Sequence, residues 1–460
     1  MRAWIRWVLV ALTLWAAPVA AQPVDLSLDD ARLLARQAIA AGEFALAAEI
    51  ARKLIEVNPD DRDAHLFLAV AAPQLGDADA GWEAGAKAWR LSETSAERYE
   101  AARVTALAAA NGERFTLSTI WLRIALNDTP NEAARTQTLR DARTVARRNP
   151  WSTQLTFSIV PSNNINGGAD DEEQRINGET DGGTLSEDAV ALAGWRTALG
   201  VRTQYRFQEN SQSRTAIGLQ YTANRAHITD DVSVPDEALT SNYAELFLRH
   251  DRALENGLIT GRLATGTLDY RNYRQSTEDV EFEKYDFVRI GVDRQFPLSD
   301  DLTMSLTAQR ERLEYSAIGI GRVDRTFLSS TLSYQLDNND RVSANLSFTN
   351  SDGEAESGNF TFDSWTLQAS YAWAEPFGPV SLSVNGGLQI SDYPKYSVFD
   401  AVEGGREDTT VFVGANVGFP EVEYFGFSPG VAITARTADS NISRFERDTF
   451  SVGFTLSSVF

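Results

Sequence analysis

The sequence predicts two kinds of fold in one chain: an all-α unit of helical repeats, then an antiparallel transmembrane β-barrel of about fourteen strands. Three observations predict it. Between Ser27 and Arg148, apolar residues recur at spacings of three and four, the period of a helix with one buried face. From Trp151 onward they recur at every second residue, in segments of about ten separated by turn residues. The connections between those segments alternate, one long and acidic, the next short. At 460 residues the chain is also too long for one ordinary core.

The first element is a leader. "MRAWIRWVLVALTLWAAPVAAQP" places Arg2 and Arg6 before an apolar run from Trp7 to Ala17, then small residues. That is a signal peptide over 1–21, with cleavage expected after Ala21. The run is short for a membrane helix, and no later stretch approaches the roughly 20 apolar residues one needs.

Composition narrows the chemistry. There are 64 acidic and 42 basic residues, a formal net charge of −22, so nucleic acid is set aside as a partner. The absence of cysteine excludes disulfides, thiol catalysis, cysteine-ligated zinc and a lipidated N-terminal cysteine. His65, His227 and His250 are far apart, each in a patterned element, and read as ordinary helix or strand positions. No cofactor or metal is implied.

The helical unit spans 22–148. In "AAGEFALAAEIARKLIEVNPDD", Gly42 marks a turn between helices. Phe44, Ala47, Ala51 and Leu54 follow on one face, and Pro59 ends the second helix. Gly76-Asp77 recurs 34 residues after Gly42-Glu43, and Gly112-Glu113 recurs 36 after that. The second copy keeps Ala69 and Gly81 but has Glu93 where Pro is wanted; the third restores Phe115 and Pro130. This pattern resembles the tetratricopeptide repeat family, in about three copies with "NEAARTQTLRDARTVARR" as a capping helix. The resemblance implies a concave groove for peptides or proteins, with Asp29, Arg32, Arg36, Asp63 and Arg103 at the positions that line it. Solvated helix surface is the competing reading of those charges, and a plain helical spacer that of the unit.

At Asn149-Pro150-Trp151 the period changes to two. "RVSANLSFTN" sets Val342, Ala344, Leu346 and Phe348 against Ser343, Asn345, Ser347 and Thr349. "SWTLQASYAW", "VSLSVNGGLQI", "VFVGANVGF", "LTMSLTAQ" and "FVRIGVDR" alternate likewise. Strands are expected near 151–161, 194–208, 214–227, 242–250, 258–270, 285–296 and 302–315, and near 326–336, 341–350, 364–374, 380–391, 409–419, 427–436 and 447–460. Long loops follow each odd strand, such as "NNINGGADDEEQRINGETDGGTLSEDAV"; short turns such as "DNND" and "EPFGP" follow the even ones. That asymmetry marks an outer-membrane barrel over 149–460 rather than a soluble sandwich. One strand face is apolar and the other mostly Ser, Thr, Asn, Gly and Gln, which suits a wet lumen. Aromatics near strand ends, Tyr270 and Tyr273, Trp365, Tyr371 and Trp373, Tyr424 and Phe425, suggest belts at the membrane surfaces. An even strand number puts both barrel ends, and so the helical unit, on the periplasmic side. The chain closes on "TFSVGFTLSSVF", with Val452, Phe454, Leu456 and Phe460 in alternation. This resembles the C-terminal signal of proteins inserted by the outer-membrane assembly machinery, although Ser458 departs from its bulky pattern. The last strand must pair with the first to remove both edges.

Two motifs suggest a family. The barrel starts with "NPWSTQLTFSIVPSNNIN" and closes with "GFSPGVAITARTADSNISRFERDTFSVGFTLSSVF", which holds a Gly-x-x-Pro turn, Ser440-Asn441 and an Arg-rich last loop. With the order of domains, these resemble the surface lipoprotein assembly modulator (Slam) family. The resemblance implies delivery of client proteins, often lipoproteins, across the outer membrane to the cell surface. It also implies the outer-membrane assembly machinery and lipids as partners during insertion, and no catalytic residue. The rivals are a porin, a polysaccharide exporter and an outer-membrane enzyme. Exporters usually have many more repeats. No G-x-S-x-G occurs, and the run Asp170-Asp171-Glu172-Glu173 reads as solvated loop charge rather than a cation site.

Overall fold

A computed structural model describes residues 26–274, 279–317, 319–355, 358–397, 401–422 and 427–458. The expected signal peptide, together with Tyr424, Phe425 and Phe460, lies outside the described residues. Two compact units divide between Leu139 and Arg140.

The first unit is helical: α1 (Leu28–Ala41), α2 (Phe44–Val57), α3 (Arg62–Gln74), α4 (Ala78–Arg90), α5 (Ser95–Asn111) and α6 (Phe115–Asn127), followed by α7 (Glu132–Arg148). Polar side chains start the helices by accepting orphan N–H groups. Ser27 accepts from Asp30, Asp61 from Ala64 and Asp77 from Ala80, each at 3.1 Å. Thr94 and Glu97 form a reciprocal capping box at α5.

The turn inside each helix pair repeats one bond. Glu43 N–H donates to Ala38 O at 2.8 Å, Asp77 to Ala72 at 3.0 Å and Arg114 to Ala109 at 2.9 Å. Gly42 and Gly76 supply the left-handed residue of the first two turns, with φ of 79° and 85°. At the third turn Glu113 takes that role at φ 58°, one residue later than the glycine. The lengthened second interval comes from α5, which has 17 residues where α1 has 14 and α3 has 13. The helix starts are compatible with a helix–turn–helix period of 34.

Small residues set the packing. Ala35, Ala47, Ala48, Ala51, Ala101 and Ala102 are fully buried. A Cβ at Gly85 would stand 2.3 Å from Thr105 Oγ1, so α4 meets α5 closely because that position is bare.

The second unit is a closed antiparallel barrel. Its strands are β1 (Trp151–Ser162), β4 (Gly194–Glu209), β5 (Ser213–Ile228), β6 (Ser241–Leu254), β7 (Gly257–Arg274), β8 (Asp279–Pro297) and β9 (Leu302–Tyr315). The ring continues with β10 (Arg322–Gln335), β11 (Arg341–Gly353), β12 (Phe362–Ala372), β13 (Ser381–Tyr393), β14 (Arg406–Gly418), β15 (Phe427–Ser440) and β16 (Arg447–Ser458). Each strand pairs with its sequence neighbour, and β1 pairs with β16 to close a ring of fourteen strands. Closure gives every wall strand a partner on both sides, as hydrocarbon requires.

Connections of a few residues gather at one end of the barrel, the turn rim. The other end, the loop rim, bears 163–193, 229–240, 394–405 and 441–446. Two connections expected to be long are not: β7 and β8 continue as a paired ribbon through Tyr273↔Val280, and β10 begins at Arg322. Residues read as loop there keep alternating, so the ladder extends past the expected strand ends. The first long loop holds a hairpin of its own, β2 (Glu173–Ile176) and β3 (Glu179–Thr184).

Candidate functional site: lumen, loop rim and helical face

Alternation assigns the two wall faces. On β8, Ile290 is 59% exposed on the outside while its neighbour Arg289 turns inward; Phe287, on Arg289's face, is 2% exposed. Leu263, Leu367, Ile390 and Val413 join Ile290 in the apolar outer surface. Isolated apolar side chains on a soluble surface are ordinary, but a continuous belt of this kind is a lipid-facing one. Trp365 lies on it, and Tyr371, Trp373 and Phe377 pack edge to face near the turn rim. Tyr270 and Tyr273 do not form a belt. Tyr270 shares the inner face of β7 with Arg262, and Tyr273 is buried against Ile165, Leu192, Ile228 and Val234 beneath loop-rim segments.

The inner face is two-sided. From β6 to β10 it bears a ladder of charge. Glu245 pairs with Arg262 and, at 2.8 Å, with Arg289; Arg289 reaches Glu311 at 2.5 Å, and Arg325 lies 3.8 Å from Glu311. Tyr243 donates to Glu245 and stacks on Phe287, with centroids 5.6 Å apart. Phe247 is flanked by the guanidinium groups of Arg202 and Arg262, 4.6 and 4.7 Å from its centroid. Toward the turn rim Asp251 accepts from Arg214 at 2.6 Å, Arg249 at 2.8 Å and Thr260 at 2.6 Å. Glu245 and Glu311 are almost wholly buried, which costs heavily without partners, and each has at least two.

The adjoining stretch of wall, from β10 to β13, is mostly uncharged. Asn345 donates to Ser329 and Thr331, both at 2.7 Å; Ser391 donates to Ser364 at 2.8 Å, and Gln389 to Ser364 at 3.1 Å. This is a hydroxyl and amide surface fit for water or a passing polar chain.

The loop rim is tied down by the residues that open and close the barrel sequence. Asn163 bonds to Phe450 and Asp448; Asn164 closes on Gly168; Asn166 Nδ2 donates to the Asp188 and Val190 carbonyls. Asn441 donates to Asn177 and to the Gly405 carbonyl, and Ile176 bridges Ile442. The β2–β3 hairpin thereby sits on the last loop, with Arg175 spanning Asp171 at 2.7 Å and Glu446 at 3.2 Å. The Arg175 hydrogen bond holds the Asp171 carboxyl below the usual range. At the start of β14, the Arg406 guanidinium carbon lies 3.5 Å from the Tyr393 ring centroid, 3.6 Å from Phe445 and 5.1 Å from Tyr396, and pairs with Asp408.

The expected groove residues lie on first helices of pairs: Asp29, Arg32 and Arg36 on α1, Asp63 on α3 and Arg103 on α5. Four of them belong to neighbouring ion pairs. Arg32 joins exposed Asp29 to buried Asp61, and Arg36 lies 3.9 Å from Asp63. Arg62 links Asp63 to Glu100 on α5. Arg103 donates to Thr138 and lies over Tyr99. Val452 and Phe454 face outward from β16, and Leu456 shares their face.

The histidines are separate. His65 contacts the Pro59 carbonyl, His227 pairs with Asp236 and His250 with Thr215. Among the described residues no cluster is arranged to hold a metal. The charge ladder and the Arg406 cage were missed from sequence. Their members alternate with apolar residues, but which arginine meets which carboxylate depends on register between strands.

Residues 288–460 match the family model described as surface lipoprotein assembly modifier. The resemblance seen in the closing motif is thereby borne out, the opening motif at 149–166 lying outside the matched residues, and the chain contains an outer-membrane β-barrel. Solved structures similar to it include Acinetobacter baumannii OccAB3 (11% identity, 67% of this chain and 98% of that one, TM-score 0.36). Pseudomonas aeruginosa OprD is another (10%, 67% and 94%, 0.32), as is a BenF-like porin from Pseudomonas fluorescens Pf-5 (9%, 67% and 98%, 0.33). Among curated proteins, none matches this sequence.

Proposed function

We propose that this chain is an outer-membrane translocator that delivers client proteins, lipoproteins foremost, to the cell surface. Residues 1–21 act as the signal peptide. Residues 22–148 form a periplasmic tetratricopeptide-like unit that recruits client or chaperone, and 149–460 form the barrel, with its turn rim toward the periplasm. The match of 288–460 to the surface lipoprotein assembly modifier family is the observation on which this reading rests. The polar lumen supports it. Barrels of eight strands are filled by side chains and those of sixteen leave an aqueous channel, so fourteen strands suit an extended polypeptide but not a folded domain.

Protease shaving of intact cells, with and without the gene, tests the reading. A lipoprotein that is surface-exposed only when the gene is present is the expected result; an unchanged surface overturns it. A steady, large bilayer conductance without any client would instead identify a porin.

A further inference from the structure

β15, β16, β1, β4 and β5 are consecutive around the ring. Their inward positions run Ser428 to Ser440, Arg447 to Thr455, Ser152 to Ser162, Gly194 to Arg206 and Arg214 to Ile228, taking every second residue. No Asp or Glu occurs among them; the first inward carboxylate is Glu209, at the end of β4. Arginines do occur. Arg206 and Arg214, at the turn rim, pair with Glu209 and Asp251.

The other four form no ion pair and hydrogen-bond to neutral groups or none, although Glu245 lies within electrostatic range of Arg202 and Asp170 within range of Arg447. Arg202 donates to Gln220 Oε1 at 3.2 Å, Arg436 to Gln389 Oε1 at 3.0 Å and Arg447 to the Gly167 carbonyl at 2.8 Å. Arg196 has no polar partner among the described residues. The Nε of Arg436 is buried without a partner. The ladder on β6 to β10 supplies a carboxylate for nearly every arginine, so this wall is a distinct electrostatic surface in a chain of net charge −22.

A guanidinium whose neighbour is an amide is oriented without being neutralised. Its planar fork matches a carboxylate in two parallel hydrogen bonds. Arg196 and Arg202 are six residues apart on one face of β4, about 20 Å along the strand at about 3.3 Å per residue. An extended peptide advances by a similar amount per residue. Thr156, Thr222 and Ser451 on the same wall offer hydroxyls to its backbone.

We propose that this wall is a binding track for an acidic segment of an extended polypeptide, with Arg196, Arg202, Arg436 and Arg447 as its carboxylate contacts. The track rests on the lumen being the client's path, but its test reads peptide binding and not surface delivery, so either can fail alone.

The test measures fluorescence anisotropy of labelled octaglutamate and octalysine with full-length protein in neutral detergent at low salt. Octaglutamate should bind, octalysine should not, and binding should weaken as salt rises. Substituting Arg196→Gln, Arg202→Gln and Arg436→Gln together should weaken octaglutamate binding by at least about tenfold. The triple Arg→Lys variant, which keeps the charge but not the fork, should bind between wild type and the Gln variant, and Arg341→Gln, outside the track, should change nothing. Heat-modifiable migration in gels establishes that each variant is folded, and single Arg202→Gln and Arg436→Gln variants read part of the same loss should the triple variant fail to fold. A wild type that ignores octaglutamate or takes octalysine equally overturns the proposal, as do folded Gln variants with unchanged binding. Inorganic phosphate that displaces the peptide at equal charge concentration would assign the wall to small anions and overturn the polypeptide track.

Discussion

Asn163 brackets Phe450 across the seam where the barrel closes. Its Oδ1 accepts from the Phe450 N–H at 2.7 Å, and its own N–H donates to the Phe450 carbonyl at 3.3 Å. The β1–β16 register pairs Thr156 to Ile159 with Ser457 to Phe454 and resumes at Ser162↔Ser451. Pro161, which has no N–H to give, lies in the interval. Asn163 therefore strengthens the seam just beyond its weakest point.

Replacing Asn163 with Ala should loosen that closure. It removes the side-chain bonds to Phe450 and to the Asp448 carbonyl, worth about 1 kcal/mol each. The temperature at which the barrel loses its compact, fast-migrating form in dodecyl sulfate should fall by a few degrees. Asn163→Asp retains the acceptor but not the donor, and should fall between. An unchanged midpoint in both variants would show that the seam does not depend on this residue.

Arg406 is the second such point. It stacks between Tyr393 and Phe445 and pairs with Asp408, joining the rims of β13, β14 and the last loop. Lys keeps the charge but not the flat face, so Arg406→Lys should lose much of a stacking contribution of about 2 kcal/mol. Faster amide exchange is expected at 401–405 and 441–446 in the Lys and Gln variants alike, with the strands of the opposite wall unaffected. Equal protection in wild type and Lys variant would mean that the cage acts through charge alone.

The two faces of β8 give a third test. Ile290 lies on the outer face at mid-strand, and a charge near the bilayer midplane costs about 2–4 kcal/mol. Ile290→Arg should lower the amount of folded barrel recovered from outer membranes. Ser347→Arg, on the hydroxyl-lined inner face of β11, should fold at near wild-type yield. The reverse ranking would invert the assignment of lipid and lumen.

These contrasts show what could be read without the structure. Period two was enough for fourteen wall strands because lipid on one side and water on the other force a strict choice at every residue. The hairpin Glu173–Ile176 and Glu179–Thr184 escaped because, packed on other loops, it needs no apolar stripe. One signal was available: Asn177-Gly178, both at positive φ, is the dipeptide that favours a tight hairpin turn. Glu245 and Arg289 each sit between apolar neighbours in the alternating pattern, but their meeting with Arg262 and Glu311 as a ladder required the stagger between strands. In the helical unit the Gly42 and Gly76 turns were visible, whereas the shift to Glu113 at the third was not, since the glycine beside it suggested otherwise.

The helical unit makes the pH prediction. Glu97 accepts from the N–H groups of Glu93 and Thr94 at 2.9 and 3.1 Å, and these bonds hold its carboxyl below the usual range. Because the folded value is the lower one, Glu97 contributes stability that is complete above its unfolded pKa of about 4.3. That contribution drains as pH falls from there through the folded value. Asp60 follows the same sign through its hydrogen bond from Lys87. Acidifying detergent-solubilised protein below about pH 4 should therefore lower the melting temperature of the 222 nm helical signal, and Glu97→Gln should flatten that dependence. Thr94→Ala removes the other half of the box, at a cost of about 1 kcal/mol at neutral pH. It should leave an acid slope, because the Glu97 carboxylate still receives both backbone bonds. A Gln variant with the wild-type acid slope would place the sensitivity elsewhere among the carboxylates of the unit.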